Sequence, residues 1–160
     1  MDGATARMKP RSRTLKPYPH SVPAILMRAR EAVMARIRPV LRAHDVTEPQ
    51  WRVLRTLSSI EEVEVTQLAE MVFLLPSSLS RILRDLGDRG LISRRTSEED
   101  LRRGLVSISD RGMALIDAAT PATTKVNAEI DRLFGAERMQ TLKTLLAELE
   151  QTLGQGPAGE

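Results

Sequence analysis

The sequence lacks cysteine altogether and has only two histidines among its 160 residues. The absence of cysteine excludes disulfides, thiolate metal sites and cysteine nucleophiles. His20 lies near the N-terminal tail and His44 near the end of a predicted helix, so we expect no zinc or iron site and no cofactor. No run of apolar residues approaches the roughly 20 needed to cross a bilayer, and the start of the chain lacks the apolar core of a signal peptide. We therefore expect a soluble cytoplasmic protein without a membrane partner.

Aromatic residues make up only 2% of the chain, which argues against the stacking platforms that bind single-stranded nucleic acid. Lysine is also scarce, with four lysines against 20 arginines. The planar guanidinium suits phosphates and guanine edges better than an ammonium does, although genomic base composition produces the same bias. The chain is long enough for one full hydrophobic core, and its net charge of +3 accompanies an isoelectric point of about 9.8.

The most informative segment runs from residue 75 to residue 90 and predicts a helix with two different faces. Leucine and isoleucine recur at three- and four-residue spacings, which places them on one buried stripe: Leu79, Ile82, Leu83 and Leu86. The opposite face carries Ser77, Ser80, Arg81, Arg84 and Asp88. Pro76 and the serines after it suit a helix start and Gly90 suits its end. Serine and arginine on an exposed face suit a phosphate backbone, but an ordinary amphipathic surface helix has the same pattern.

Two short helices are predicted before this one. Thr47 and Gln50 form a predicted capping box with Pro49 in the first turn, which starts a helix that reaches about Ile60. After a possible very short strand at Val63 and Val65, Thr66 is predicted to cap a brief helix that ends near Val72. Two short helices joined by a tight turn, the second exposing serine and arginine, indicate a helix-turn-helix.

The residues after Gly90 predict a β-hairpin. Residues 91–95 and 105–109 have the length and β-branched content of strands, and the polar loop 96–104 joins them. A hairpin after a helix-turn-helix is a wing, whose use is to carry an arginine into the minor groove; the candidates are Arg94, Arg102 and Arg103. We expect Asp100 to pair with an arginine and fix the loop, because the acidic residues 97–100 work against simple attraction to phosphate. A solvated hairpin tip explains the same residues.

The two ends of the chain predict helices that exceed what a winged module needs. A basic, proline-broken arm (residues 1–20) precedes a helix that starts at Ser21 and contains Pro39. Asp110 is predicted to cap a long helix that bends at Pro121, and a final leucine-rich helix follows Gly135. The simplest interpretation of these extra helices is that both ends of the chain form a helical homodimer interface.

These segments together resemble the MarR family of winged-helix transcriptional regulators. The resemblance rests on the order and spacing of Gln50–Leu54, Pro76–Leu83, Gly90–Ile92, Asp100–Arg103 and Val106–Gly112, and covers about Pro23 to Leu149. Within that family, Ala29–Met34, Arg38–Pro39 and Glu48–Leu54 are most similar to repressors of homoprotocatechuate (3,4-dihydroxyphenylacetate) degradation operons. The sequence departs from common relatives at Ser80, which is frequently threonine, and at Gly87, which replaces a usual glutamate.

The resemblance implies a homodimer that binds a pseudo-palindromic operator in double-stranded DNA and is often released by a small aromatic acid. By position in the motif, the major-groove residues would be Ser77, Ser78, Ser80, Arg81 and Arg84, while Asp100 and Arg102 match the acidic residue and the arginine of the wing. An anionic aromatic effector needs an arginine beside an apolar wall, and the candidates are Arg30, Met34, Trp51 and Arg55. Dimer packing and surface charge explain each of these four as well, and Trp51 also suits a core position.

The sequence therefore predicts a mainly α fold with a small β-hairpin wing (α+β). Its parts are a disordered basic arm (1–20), an N-terminal dimerisation helix (21–46), a winged helix-turn-helix (47–110), C-terminal dimerisation helices (111–154) and a disordered tail (155–160). The predicted function is a DNA-binding repressor of an aromatic-catabolic operon. A non-specific architectural DNA protein, a protein-interaction module and a MarR-type regulator with a different effector or none remain open. An enzyme is the least expected class, since the chain has no cysteine and no glycine-rich phosphate loop.

Overall fold

The computed structural model describes residues 20–96 and 103–154. Within these residues the chain forms six helices and three strands, and none of the helices is long and apolar enough to cross a membrane. The elements are α1 (Val22–Ala43), α2 (Glu48–Leu57), β1 (Val63–Glu64), α3 (Val65–Met71), α4 (Pro76–Asp88), β2 (Ile92–Thr96), β3 (Gly104–Ile108), α5 (Asp110–Phe134) and α6 (Ala136–Gly154). The predicted mainly helical fold with a β-hairpin is confirmed. The predicted arm and tail lie outside the described residues, except for His20.

The described part of the chain divides into two compact units, the first ending at Arg36 and the second beginning at Ile37. The boundary falls inside α1, which continues through Pro39 to Ala43. In the first unit the hydroxyl of Ser21 accepts a hydrogen bond of 3.4 Å from the backbone amide of Ala24, as expected for an N-cap. The second unit contains the helix-turn-helix and the sheet.

The second unit is built around leucines and valines from short elements. Helix α4 packs against α2, α3 and β2. The residues that are fully buried include Leu54, Leu57, Leu68, Leu79, Leu83, Leu86, Val53, Val72 and Val106. Three of the four residues of the predicted α4 stripe are thus core residues, and Ile82 is half-buried. Trp51 is also only half-buried, so it lies at the edge of this core.

The sheet is antiparallel with the strand order β1-β3-β2. Val63 pairs with Val106, and Ile92 pairs with Ile108 in the hairpin. The short strand that Val63 suggested is present, but Val65 already belongs to α3. The prediction that Thr66 caps α3 is therefore wrong: the N-cap is Glu64, without a side-chain capping bond.

The other helix ends follow from local chemistry. The capping box of α2 is confirmed, because Gln50 Oε1 accepts from the Thr47 amide at 2.8 Å and Thr47 Oγ1 accepts from the Gln50 amide at 3.4 Å. This helix ends at Leu57 rather than near Ile60. For α5 the cap is Ser109, with Asp110 inside the first turn, so the predicted Asp110 cap is wrong by one residue.

Helix α4 ends in a Schellman motif. Gly90 has φ of 68°, the left-handed region that glycine adopts without steric penalty. Its amide donates to the carbonyl of Gly87 at 2.8 Å, and the amide of Leu91 donates to the carbonyl of Leu86 at 2.9 Å. The stop predicted at Gly90 is thus confirmed. At the other end α4 begins at Pro76, as the sequence indicated, and its N-cap is Leu75, which has no side-chain capping bond.

Gly87 of α4 lies beside open space, because a Cβ at this position would meet no heavy atom within 4 Å. Alanine is favoured over glycine by about 1 kcal/mol in a helix interior. We expect Gly87→Ala to raise the free energy of unfolding by about 0.5–1 kcal/mol, measured by urea denaturation. A decrease in the free energy of unfolding would show that α4 needs the flexibility of glycine at this position to pack.

Candidate nucleic-acid interface

Helix α4 presents a continuous polar face opposite its buried leucines. The exposed residues of this face, which we call the reading face, are Ser77, Ser78, Ser80, Arg81 and Arg84. Leu79 and Leu83 fix its orientation, because both are 0% exposed and cannot turn outward without opening the core. The spacing predicted Ser77, Ser80, Arg81 and Arg84 on this face, and the resemblance added Ser78.

The two arginines of the reading face differ from several arginines of the second unit that pair with a carboxylate. Within the described residues Arg81 and Arg84 form no ion pair, whereas Arg38, Arg95 and Arg103 each contact a glutamate. Their guanidinium groups are exposed and can present their forked donors to an outside acceptor. Phosphate oxygens and guanine edges are the acceptors that this geometry matches.

Asp85, which directly follows Arg84 in α4, has partners of its own. The amide nitrogen Nε2 of Gln50 donates to Asp85 Oδ2 at 2.6 Å, and Arg89 lies 3.5 Å from the same oxygen. These contacts connect α4 to the first turn of α2. They also partly neutralise the carboxylate that would otherwise repel phosphate.

The wing is fixed at its base by two ion pairs. Arg95 donates from Nε to Glu62 at 2.8 Å and forms a second bond to the other oxygen of this carboxylate. Arg103 donates to Glu64 at 2.8 Å across the β1–β3 edge. Arg94 is exposed on β2 and has no ion pair within the described residues. Of the predicted wing residues, Asp100 and Arg102 lie outside the described part of the chain, so the expected contact of Asp100 with an arginine stays a prediction.

The pairing of Arg103 suggests a test at the wing. We expect Glu64→Gln to remove the negative charge that faces Arg103 and to raise the affinity for a scrambled duplex by about threefold, with a steeper dependence on salt. The measurement is a titration of labelled duplex at several salt concentrations. Glu150→Gln on the exposed surface of α6 makes the same charge change and serves as the control. An equal increase in both variants would show that net charge alone is responsible.

A tight junction holds α4, the wing and α5 together. Ser109 Oγ accepts from the amide of Gly112 at 3.0 Å and donates to the carbonyl of Gly90 at 2.7 Å. The amide of Ser109 also donates to the carbonyl of Leu91 at 3.1 Å. One serine thus caps α5 and fixes the turn that ends α4. A Cβ on Gly112 would overlap the carbonyl oxygen of Leu91 and approach Ile108 Cγ1 to 2.8 Å, so only glycine fits there.

The four predicted effector residues fall in both units. Arg30 and Met34 belong to the first unit, while Trp51 and Arg55 belong to the second. Arg30 and Arg55 are exposed and Met34 is half-buried; Arg55 makes a long contact of 3.5 Å to the Ser58 hydroxyl. A four-residue pocket therefore stays a prediction.

A surface cavity of the second unit lies elsewhere, lined by Glu61, Glu62, Arg95 and Ser107. Its arginine already pairs with Glu62, and two carboxylates in the lining make it unsuited to an anionic ligand. Among the described residues, no group of three or more histidine, aspartate or glutamate side chains is placed to hold a metal ion.

Comparison with known proteins decides the family. The model of the MarR family matches residues 46–103, which contain the helix-turn-helix and β2 and end just before β3. The homoprotocatechuate degradative operon repressor of Escherichia coli is 34% identical over 128 residues, covering 80% of this chain and 86% of that protein. The chain belongs to the MarR family. It is a DNA-binding transcriptional regulator with a winged helix-turn-helix.

Solved structures place this MarR regulator among close structural relatives. The transcriptional regulator PA4135 is 34% identical with a TM-score of 0.80, covering 85% of this chain and 98% of that chain. NadR in complex with 4-hydroxyphenylacetate is 32% identical with a TM-score of 0.72, covering 89% of this chain and 97% of that chain. The resemblance inferred from sequence motifs is therefore confirmed at the level of the family and of the fold.

Sequence reasoning missed several residues that position the interface of this MarR regulator. They are Glu62, Glu64, Asp85, Ser109 and Gly112, and each acts through a partner distant in the chain or through an absent side chain. Glu62 is 33 residues from Arg95, and Ser109 is 19 residues from Gly90. The one local sequence signal for the junction is Ser109, which lies three residues before Gly112 at the start of an apolar helix.

Proposed function

We propose that this MarR regulator is a homodimeric repressor that occupies a pseudo-palindromic operator and blocks transcription of an aromatic-catabolic operon until a small aromatic carboxylate releases it. The observation that carries the proposal is the reading face, where Arg81 and Arg84 are exposed without an ion pair in the described chain. In a dimer, two such faces would enter successive major grooves about 34–36 Å apart. The serines beside the arginines suit base edges and phosphates as short donors.

The wing supports the same mode of binding. Arg94, Arg102 and Arg103 belong to the strand and loop that follow α4, where an arginine can enter a narrow minor groove. Arg103 would exchange Glu64 for a phosphate when DNA is present. The Ser109–Gly90 junction would keep the wing and the reading face in a fixed relation, so that both reach the duplex together.

The exposed apolar surface of the terminal helices supports a homodimer. Helix α6 has 19 residues and none of them is buried. It exposes Leu142, Leu145, Leu146, Leu149 and Leu153, and α1 exposes Val22, Ile25, Leu26, Met27 and Val33. Apolar stripes of this size are stable in water when a second surface covers them, and a second copy of the chain is the partner that gives two reading faces with two-fold symmetry.

The aromatic effector is proposed from the relatives and from the candidate residues. One relative is named for homoprotocatechuate degradation and another was solved with 4-hydroxyphenylacetate. The candidate ligands of the carboxylate are Arg30 and Arg55, and the candidate apolar contacts are Met34 and Trp51. Effector binding would change the separation of the two reading faces and weaken both half-site contacts.

The test is a fluorescence anisotropy titration with a duplex from the region upstream of the protein's own gene and a scrambled duplex, at about 150 mM salt. We expect a preference of roughly a thousandfold for the native duplex, reduced by 3,4-dihydroxyphenylacetate or its 4-hydroxy analogue. Equal binding to both duplexes would indicate an architectural protein. Specific binding that neither acid changes would be consistent with a repressor but would contradict the proposed effector.

A further inference from the structure

Exposed apolar side chains within the winged module are concentrated at one place. Between residues 47 and 110, leaving aside 97–102, the large hydrophobic residues that stay exposed all lie at the turn between α3 and α4. Met71 is 43%, Phe73 80% and Leu75 72% exposed. The other exposed large hydrophobic residues of the described chain lie on α1, α5 and α6. We call Phe73 and Leu75 the turn pair.

Both residues of the turn pair occupy backbone positions that usually favour other residue types. Phe73 has φ of 51°, in the left-handed region that favours glycine. It is held there because its amide donates to Glu70 at 3.1 Å and the next amide donates to Ala69 at 3.0 Å. Leu75 occupies the N-cap of α4 without a capping bond, where serine, threonine, aspartate or asparagine would stabilise the helix.

Neither exception is offset by packing, since both side chains are mostly exposed. A position that breaks a local rule without a compensating contact is expected to serve binding. The turn pair immediately precedes the reading face, with Ser77 and Ser78 only two and three residues after Leu75. An apolar surface therefore continues directly into the polar surface that carries Arg81.

We propose that the turn pair reads thymine in the operator, with Leu75 contacting the 5-methyl group of one thymine in each half-site. This inference rests on the proposed function. The first residues of a recognition helix are those that reach base edges in the major groove, and the thymine methyl is the apolar group displayed there. Phe73 extends the apolar surface that excludes water from this contact. The turn pair thus adds a specificity for thymine to the guanine and phosphate recognition that the arginines provide.

Substitutions in the turn pair separate binding from folding, because they affect the two in opposite directions. Leu75→Ser introduces an N-cap hydroxyl and removes the apolar side chain. We expect it to raise Tm by about 2–4 °C and to lower the affinity for the operator. Phe73→Gly removes the strained left-handed phenylalanine and should also leave the protein at least as stable. Weaker DNA binding by a more stable protein cannot be attributed to unfolding.

The decisive experiment replaces each thymine of the operator by deoxyuridine, which removes only the methyl group. The duplex is first selected from a random pool with the wild-type protein. At one symmetric pair of thymines we expect the replacement to weaken wild-type binding about fourfold per half-site, and so roughly 15-fold for the pair. Leu75→Ser should bind the thymine and deoxyuridine duplexes equally at that pair.

Four outcomes would overturn the inference, and they are distinguishable. If the wild type binds specifically but no deoxyuridine replacement weakens it, thymine methyl recognition is wrong and the proposed function stands. If Leu75→Ser keeps the full methyl dependence, a different residue reads the thymine; if it binds the operator as the wild type does, the turn pair serves a protein partner. If no duplex is selected at all, the proposed function and the inference fail together.

Discussion

Arg81→Ala is expected to lower the affinity for the operator by about 100-fold while changing the affinity for scrambled DNA by only a few-fold. A guanidinium that bonds both acceptors of a guanine contributes about 1–3 kcal/mol of discrimination. A loss of about 1.4 kcal/mol in each subunit is a factor of ten, and a dimer carries the substitution twice. Because Arg81 has no ion pair within the described chain, its removal leaves no buried or unpaired carboxylate behind.

The matched control for this prediction is Arg132→Ala on the exposed surface of α5. It removes the same positive charge from the protein but not from the reading face, so we expect a change of less than about threefold from screened long-range attraction. Both variants are measured by anisotropy against the operator and the scrambled duplex. If the two variants lose affinity equally for both duplexes, the reading face contributes only general charge and α4 is not the recognition helix.

Gly112→Ala is expected to lower the free energy of unfolding by about 3 kcal/mol. The added Cβ would overlap the backbone carbonyl of Leu91 and lie 2.8 Å from Ile108 Cγ1, and a backbone carbonyl cannot move aside as a flexible side chain can. Relieving the overlap would separate α5 from the α4–β2 turn and lengthen the bonds of Ser109. Overpacking of this kind costs about 1–3 kcal/mol and occasionally more, which corresponds to a drop in Tm of about 6–12 °C.

Gly87→Ala is the control for Gly112→Ala, since both add one methyl group to a helical glycine. Alanine at 87 meets open space and should stabilise the protein, so the two variants are expected to shift the urea midpoint in opposite directions. Both should be compared at the same protein concentration, because a dimer's stability depends on it. A stabilising Gly112→Ala would mean that the junction is loose and that the wing is not held by Ser109.

The fold was predictable from the sequence wherever a short-range pattern determines it. The leucine spacing of α4 gave its buried face, the Thr47–Gln50 box gave the start of α2, and Gly90 gave the end of α4. These signals all act within one or two turns of a helix. Ser77, Ser80, Arg81 and Arg84 of the reading face followed directly, because the leucine stripe leaves them outside.

The predictions that failed depend on contacts between distant segments. Thr66 does not cap α3, since pairing of Val63 and Glu64 with β3 brings the helix start forward to Val65. Asp110 is the cap that the sequence predicts for α5, but the cap is Ser109, which also bonds Gly90, and this contact cannot be read from local sequence. The pairing of Arg103 with Glu64 likewise joins residues 39 positions apart. Leu75 at an N-cap contradicts propensity, which the proposed thymine contact would explain.

The most direct test of the central claim is methylation interference on the operator with dimethyl sulfate, which modifies guanine N7 in the major groove. If the reading faces of two subunits enter successive major grooves, methylation should block binding at two symmetric guanine clusters about 10–10.5 base pairs apart. The guanine that Arg81 contacts should lose its effect in Arg81→Ala. Binding that tolerates methylation at every guanine, or one unbroken region of interference without two-fold symmetry, would contradict recognition by α4.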